Sequence, residues 1–193
     1  MNRNRLLLSA LVLALAQIGF LSWIIVGRAA VLRDGSEVIF LVKPIDPRDL
    51  LRGDFIRLDY DISRIPASII ENAPAGDFDT RDGAIYVRVA RGADTFWHAR
   101  SASLYARSAK PLAPDEVELR GKIEAGTTVG PNSTVYAEYG LERFYLPEGT
   151  GMAIQNDMNV RPFAVKVAVA SDGTPQIKAF LDGTTLLFEE PLY

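Results

Sequence analysis

Four groups of side chains in this sequence have types and spacings that chemistry could use. Asp46, Arg48, Arg52 and Asp54 fall close together and could line a polar groove at the end of a strand. Glu142 and Glu148 flank Phe144, Tyr145, Leu146 and Pro147, and two carboxylates beside aromatic rings suit sugar chemistry. Asp77, Asp79 and Asp82 crowd a loop closed by Gly83, where carboxylate oxygens could meet calcium. His98 is the only histidine, so a Ser-His-Asp triad would have to use it.

Each group also has a plainer reading. His98 alternates with Phe96 and Arg100 around Trp97, which suits a strand-surface histidine packed on aromatic rings. Counted from Asp77, the twelfth position is Arg88 and not the bidentate glutamate of an EF-hand, so a solvated turn is favoured. Glu142 with Arg143 reads as a surface pair on a strand. Tyr136, Tyr139, Phe144 and Tyr145 fit either the core of two adjacent strands or a binding strip joined to Glu142 and Glu148. There is no cysteine, which excludes disulfides, thiolate metal sites and cysteine nucleophiles. One histidine rules out a His-rich metal centre, and Gly126–Gly130 lacks the Gly-Lys-Ser/Thr ending of a phosphate loop. No metal and no cofactor are expected.

The elements that must position these residues are mostly strands. Val38 to Val42 is a continuous apolar run, as in a strand buried on both faces. From Arg52 to Ile62 the pattern alternates, with Ile56, Leu58, Tyr60 and Ile62 inward and Arg57, Asp59 and Asp61 outward. Ile85, Val87 and Val89 form another inner face, and Arg91 to Asp94 reads as a hairpin into a strand from Thr95 to Tyr105. Val117, Leu119 and Ile123 mark a strand with Glu118, Arg120 and Lys122 on its solvent side. Two short aromatic strands between Val135 and Leu146 break near Gly140. Phe163 to Val169, Ile177 to Leu181 and Thr185 to Phe188, separated by Asp-Gly turns, predict a three-strand meander. Short helices are expected at Pro66–Asn72 and, capped by Thr150, at Gly151–Met158. The fold class is mainly β (α+β): one antiparallel β-rich domain over 36–193 with one or two short helices.

Leu6 to Val26 departs from this pattern. It is apolar except for Ser9, Gln17 and Ser22, and as a helix it spans roughly 30 Å, the thickness of a bilayer's hydrocarbon core. The expected organisation is a cytoplasmic N-terminus over 1–5, a transmembrane helix over 6–26 and a tether over 27–35. A cleaved signal peptide ending at Ala14-Leu15-Ala16 is the alternative, but the apolar run continues past it to Ile25. The stretch before Asp34 holds Arg3, Arg5, Arg28 and Arg33 and no acid. That leaves 17 of the 21 basic residues against all 24 acidic ones, a net of −7 for the rest. An acidic body argues against nucleic acid, which needs clustered cations on its phosphates.

The run Arg52-Gly53-Asp54-Phe55-Ile56-Arg57-Leu58-Asp59-Tyr60 resembles the signature of the GDYXXLXY family, bacterial membrane-anchored proteins without an assigned biochemical role. Gly53, Asp54, Leu58 and Tyr60 match it; Phe55 stands where the family name has Tyr. The lead-in Pro44 to Leu51, the block Tyr139 to Gly149 and the Asp-Gly hairpins also resemble the family. The resemblance implies an inner-membrane, single-pass protein with an extracytoplasmic body and a multi-spanning membrane protein as partner. Physically the motif reads as architecture: Gly53 and Asp54 open a strand, and Leu58 and Tyr60 enter the core with the Tyr60 hydroxyl seeking a partner. Type I signal peptidases carry a similar Arg-Gly-Asp before a β run, but their Ser-Met nucleophile pair has no counterpart here. Three functions are therefore weighed. They are a non-enzymatic accessory domain for a membrane partner, a small-molecule or envelope-polymer binding module, and a hydrolase centred on Asp54 or Glu148.

Overall fold

The computed structural model describes residues 3–43, 55–74, 76–145, 154, 157–158, 160–183 and 185–191. It opens with helix α1 (Arg3–Asp34), 32 residues long. The segment contains no proline and is rich in Leu and Ala, which favour the helix. Its apolar side chains from Leu7 to Val26 point into open space, and it is long and apolar enough to cross a membrane. The expected tether over 27–35 is not an extended linker: the helix continues to Asp34. Ala29 and Leu32, three residues apart on one helix face, are buried where α1 packs on the body's sheet. Gly35 ends the helix, its N–H donating to the Val31 carbonyl at 2.9 Å. A Cβ there would meet that carbonyl oxygen at 2.5 Å and the Val169 nitrogen at 3.1 Å, so the junction admits only glycine without a shift.

The body is built from antiparallel sheets. β1 (Ser36–Lys43) lies between β12 (Phe163–Val169) and β3 (Asp59–Tyr60), and β13 (Pro175–Asp182) and β14 (Thr185–Glu189) extend the sheet in the order β14-β13-β12-β1-β3. The tail is the expected three-strand meander, with β1 joined to it. A second sheet, β7-β6-β8, holds β6 (Gly83–Arg91), β7 (Trp97–Leu104) and β8 (Glu116–Ile123). Val38, Phe40, Val165 and Phe180 of the first sheet share one core with Ile85, Val87 and Leu119 of the second. The turn after β12 fastens the two together, with the Arg120 N–H donating to the Gly173 carbonyl at 2.8 Å. Short ribbons complete the body: β2 (Phe55–Arg57) with β11 (Arg143–Tyr145), β4 (Arg64–Pro66) with β10 (Thr134–Tyr136), and β5 (Phe78–Asp79) with β9 (Thr128–Val129).

Several expectations change in detail. β1 buries Val38, Phe40 and Val42 fully, while Ile39 and Leu41 are half-covered; Ile39 joins a small second cluster with Ala164, Ala179, Leu181 and Phe96. The alternating run to Ile62 is not one strand. It pairs with β11 as β2, crosses at Leu58 to pair with β1 as β3, then closes in a 3-10 turn over Asp61–Ser63. Its inward set, Ile56, Leu58, Tyr60 and Ile62, is buried all the same. Asp59, expected outward, is also buried. The Glu118 side chain, expected on the solvent side of β8, is largely covered, 11 % exposed. Arg64–Pro66 is a strand, and only Ala67–Ile69 of the expected Pro66–Asn72 helix coils, as a 3-10 turn. The hairpin after Arg91 turns through Thr95 at φ +72°, so β7 begins at Trp97. Ile154 and Asp157 are helical, with the Met158 N–H on the Ile154 carbonyl; the rest of the expected Gly151–Met158 helix lies outside the described residues.

Candidate functional site

The motif and the block around Tyr139 meet in the structure. β2 and β11 pair with Arg57 opposite Arg143, Ile56 opposite Phe144 and Phe55 opposite Tyr145. At the crossing, the Leu58 N–H donates to the Glu142 carbonyl at 2.9 Å. Two buried tyrosines then exchange hydrogen bonds. The Tyr60 hydroxyl donates to the Leu141 carbonyl at 2.8 Å, and the Tyr139 hydroxyl donates to the Ile62 carbonyl at 2.7 Å. The Glu142 carboxylate accepts the Tyr139 N–H at 2.6 Å, closing the turn between them. Gly121 makes room for the second ring: a Cβ there would sit 3.0 Å from Tyr139 Cε1. Burial, and then the nearby Glu142 charge, push both phenols above their ordinary pKa, so neither is an acid or base in the neutral range.

Leu58 and Tyr60 are therefore core residues. Gly53 and Asp54, as well as the side chain of Phe55, lie outside the described residues. So do Asp46, Arg48, Arg52 and Glu148 of the expected binding surface. Of that surface's remaining members, Tyr139 is buried, Glu142 is committed to its turn, and Tyr145 is 72 % exposed. The four-ring strip divides by strand alternation. Phe144 stacks on Phe180 with centroids 5.3 Å apart, whereas Tyr136 and Tyr145 face solvent. Next to the staple, Asp59 Oδ2 accepts from Arg64 Nη1 at 2.5 Å, while its buried Oδ1 has no partner among the described residues.

The other candidates are spent on local structure. His98 Nε2 lies 2.9 Å from both carboxylate oxygens of Asp94, tying β7 to the tip of its own hairpin. This bond holds the Asp94 carboxyl below its usual range. In the acidic loop, Asp79 accepts the Thr128 hydroxyl at 2.6 Å and Asp82 accepts the Ala125 N–H at 2.8 Å. Among the described residues no cluster of three or more His, Asp and Glu could hold a metal ion.

One polar feature lies apart from every motif in the sequence. A groove of about 380 Å³ opens where α1 enters the body, lined by Asp34, Arg88, Arg107, Leu112, Glu118 and Val169 among others. Arg88 is buried at its base, with Nε 3.4 Å from Glu118 Oε2 and its other nitrogens donating to the Lys110 and Pro111 carbonyls. Arg107 Nε reaches the other Glu118 oxygen at 3.3 Å, and its guanidinium lies over the Tyr86 ring. The register that sets Arg88 opposite Glu118 was the only available signal, and it requires knowing that β6 pairs with β8.

Compared with known proteins, residues 17–180 match a family model described as GDYXXLXY protein. No curated protein and no solved structure matches the chain.

Proposed function

The chain belongs to the GDYXXLXY family, and from that premise we propose that it is a single-pass, membrane-anchored, non-enzymatic interaction domain serving a membrane protein partner. One observation carries this reading. The apolar helix does not end in a loose linker but runs on to Asp34 and buries Ala29 and Leu32 against the body. With α1 in a bilayer, the body is held at one height and one orientation. That arrangement suits presenting a surface to a neighbour in the same membrane better than reaching for a distant one. In this reading the body stands on the extracytoplasmic side of a bacterial inner membrane, as the resemblance to the family implies. The motif supports a non-enzymatic reading, because Leu58 and Tyr60 are buried and the Tyr60 hydroxyl is spent on the Leu141 carbonyl.

The test is cross-linking in intact membranes followed by recovery of the tagged chain in mild detergent. A membrane protein recovered reproducibly, and lost when the Tyr145 and Tyr136 rings are replaced by Ser, is the expected result. Repeated recovery of the chain alone would overturn the partner reading.

A further inference from the structure

We propose that the groove at the foot of α1 binds a zwitterionic phosphoethanolamine lipid headgroup, with its phosphate on Arg107 and its ammonium on Asp34 and Glu116. This rests on the membrane-anchored reading above. The groove's position supplies the ligand's source. Asp34 and Ser36, the residues on either side of the helix–strand junction, both line it. Asp34 lies eight residues beyond Val26, about 12 Å along the helix, against about 5–7 Å for one headgroup layer. A lipid seated there is therefore raised from its leaflet by several ångströms. Its uppermost methylenes then need apolar cover, and Leu112, 46 % exposed, together with the half-buried Val117 offers it.

The lining selects the headgroup. Arg88 is fully engaged with Glu118 and two carbonyls, so Arg107 is the cation left for a phosphate. Arg107 is half-exposed; its Nε pairs with Glu118 and its Nη2 donates to the Ser171 carbonyl at 3.5 Å, which leaves Nη1 to reach a phosphate. Three carboxylates, Asp34, Glu116 and Glu118, outnumber the two guanidinium groups. The α1 C-terminus adds the partial negative charge of its last carbonyls. Glu116 Oε2 accepts the Ala113 N–H, and its other oxygen has no partner among the described residues. A purely anionic headgroup meets net repulsion here. A choline headgroup carries the positive charge but no N–H to donate to the carboxylates. Phosphoethanolamine matches both the guanidinium and the acids. The volume, about 380 Å³, falls at the small end of ligand pockets.

The experiment places the full chain in lipid nanodiscs with a trace of phosphatidylethanolamine bearing a diazirine near its glycerol, then maps the labelled peptides. Labelling on the Arg107–Val117 peptide is expected. Unlabelled phosphatidylethanolamine should compete about tenfold better than phosphatidylcholine or phosphatidylglycerol. Asp34→Asn and Arg107→Gln should each reduce the labelling severalfold. Asp34 is exposed, so its variant tests the site without disturbing the fold. Labelling confined to α1, indifferent to headgroup, or unchanged in both variants would overturn the proposal. Carbonate extraction of native membranes separates the two readings. Release of the chain removes the anchor itself, whereas retention with indiscriminate labelling removes only the headgroup site.

Discussion

Tyr60 and Tyr139 show how two side chains can decide whether distant segments stay together. Each hydroxyl answers a carbonyl that has left regular strand pairing, one at the Leu141 turn and one in the 3-10 turn at Ile62. Removing a single oxygen leaves that buried carbonyl unpaired, at a cost of about 1–3 kcal/mol. Tyr60→Phe and Tyr139→Phe should each show this loss in thermal unfolding. The double variant should lose less than the sum if the two bonds act together, or the sum if they are independent. The same burial predicts an alkaline limb. Both phenols have raised pKa values in the folded protein. Their contribution is therefore complete below about pH 10 and declines as pH rises past it, because the unfolded chain ionises first. Melting temperature followed from pH 8 to 11 should fall, and less steeply in the double Phe variant. Glu118 makes the complementary case. Glu118→Gln leaves the buried Arg88 guanidinium without its carboxylate and should cost about 3–5 kcal/mol.

At the level of elements, period-two patterning carried the main strands, because a strand with one buried face must alternate. Ile85, Val87 and Val89 on β6, and Phe163 to Val169 on β12, were legible for that reason. Pairing partners were not. Nothing local says that the run Ile56 to Ile62 leaves one partner at Leu58 and joins another, since the same residues face inward either way. Nor does the β8 sequence reveal that Arg88 and Arg107 both close on Glu118, or that the preceding loop carries the Lys110 and Pro111 carbonyls onto Arg88. Of the candidate site, the Tyr60 hydroxyl's need for a partner was legible from a tyrosine on an inward face, but its partner, 81 positions away, was not. The helix–body junction was missed because Arg28 and Arg33 mark the end of an apolar run and disguise a helix that goes on. Its test is direct. Gly35→Ala drives a Cβ into the Val31 carbonyl, and Leu32→Ala removes a buried side chain at a cost of about 2–5 kcal/mol. Both should loosen α1 from the body and raise hydrogen exchange at Val31 to Gly35, while exchange in β6 stays unchanged.

For the molecule as a whole, one helix meets two surroundings: it is apolar on nearly every side from Leu7 to Val26, where lipid would surround it, and one-sided where it meets the body. The sequence contains no cysteine, so single cysteines placed from Leu7 to Asp34 report accessibility without background. In sealed native membranes treated with a charged, impermeant maleimide, positions 7–26 should stay unlabelled. Beyond them labelling should follow the helix, strong at Arg28, Ala30 and Arg33 and weak at Ala29 and Leu32. Uniform labelling from 27 to 34 would mean a flexible tether, and labelling throughout 7–26 would mean no membrane span; either result would contradict the account.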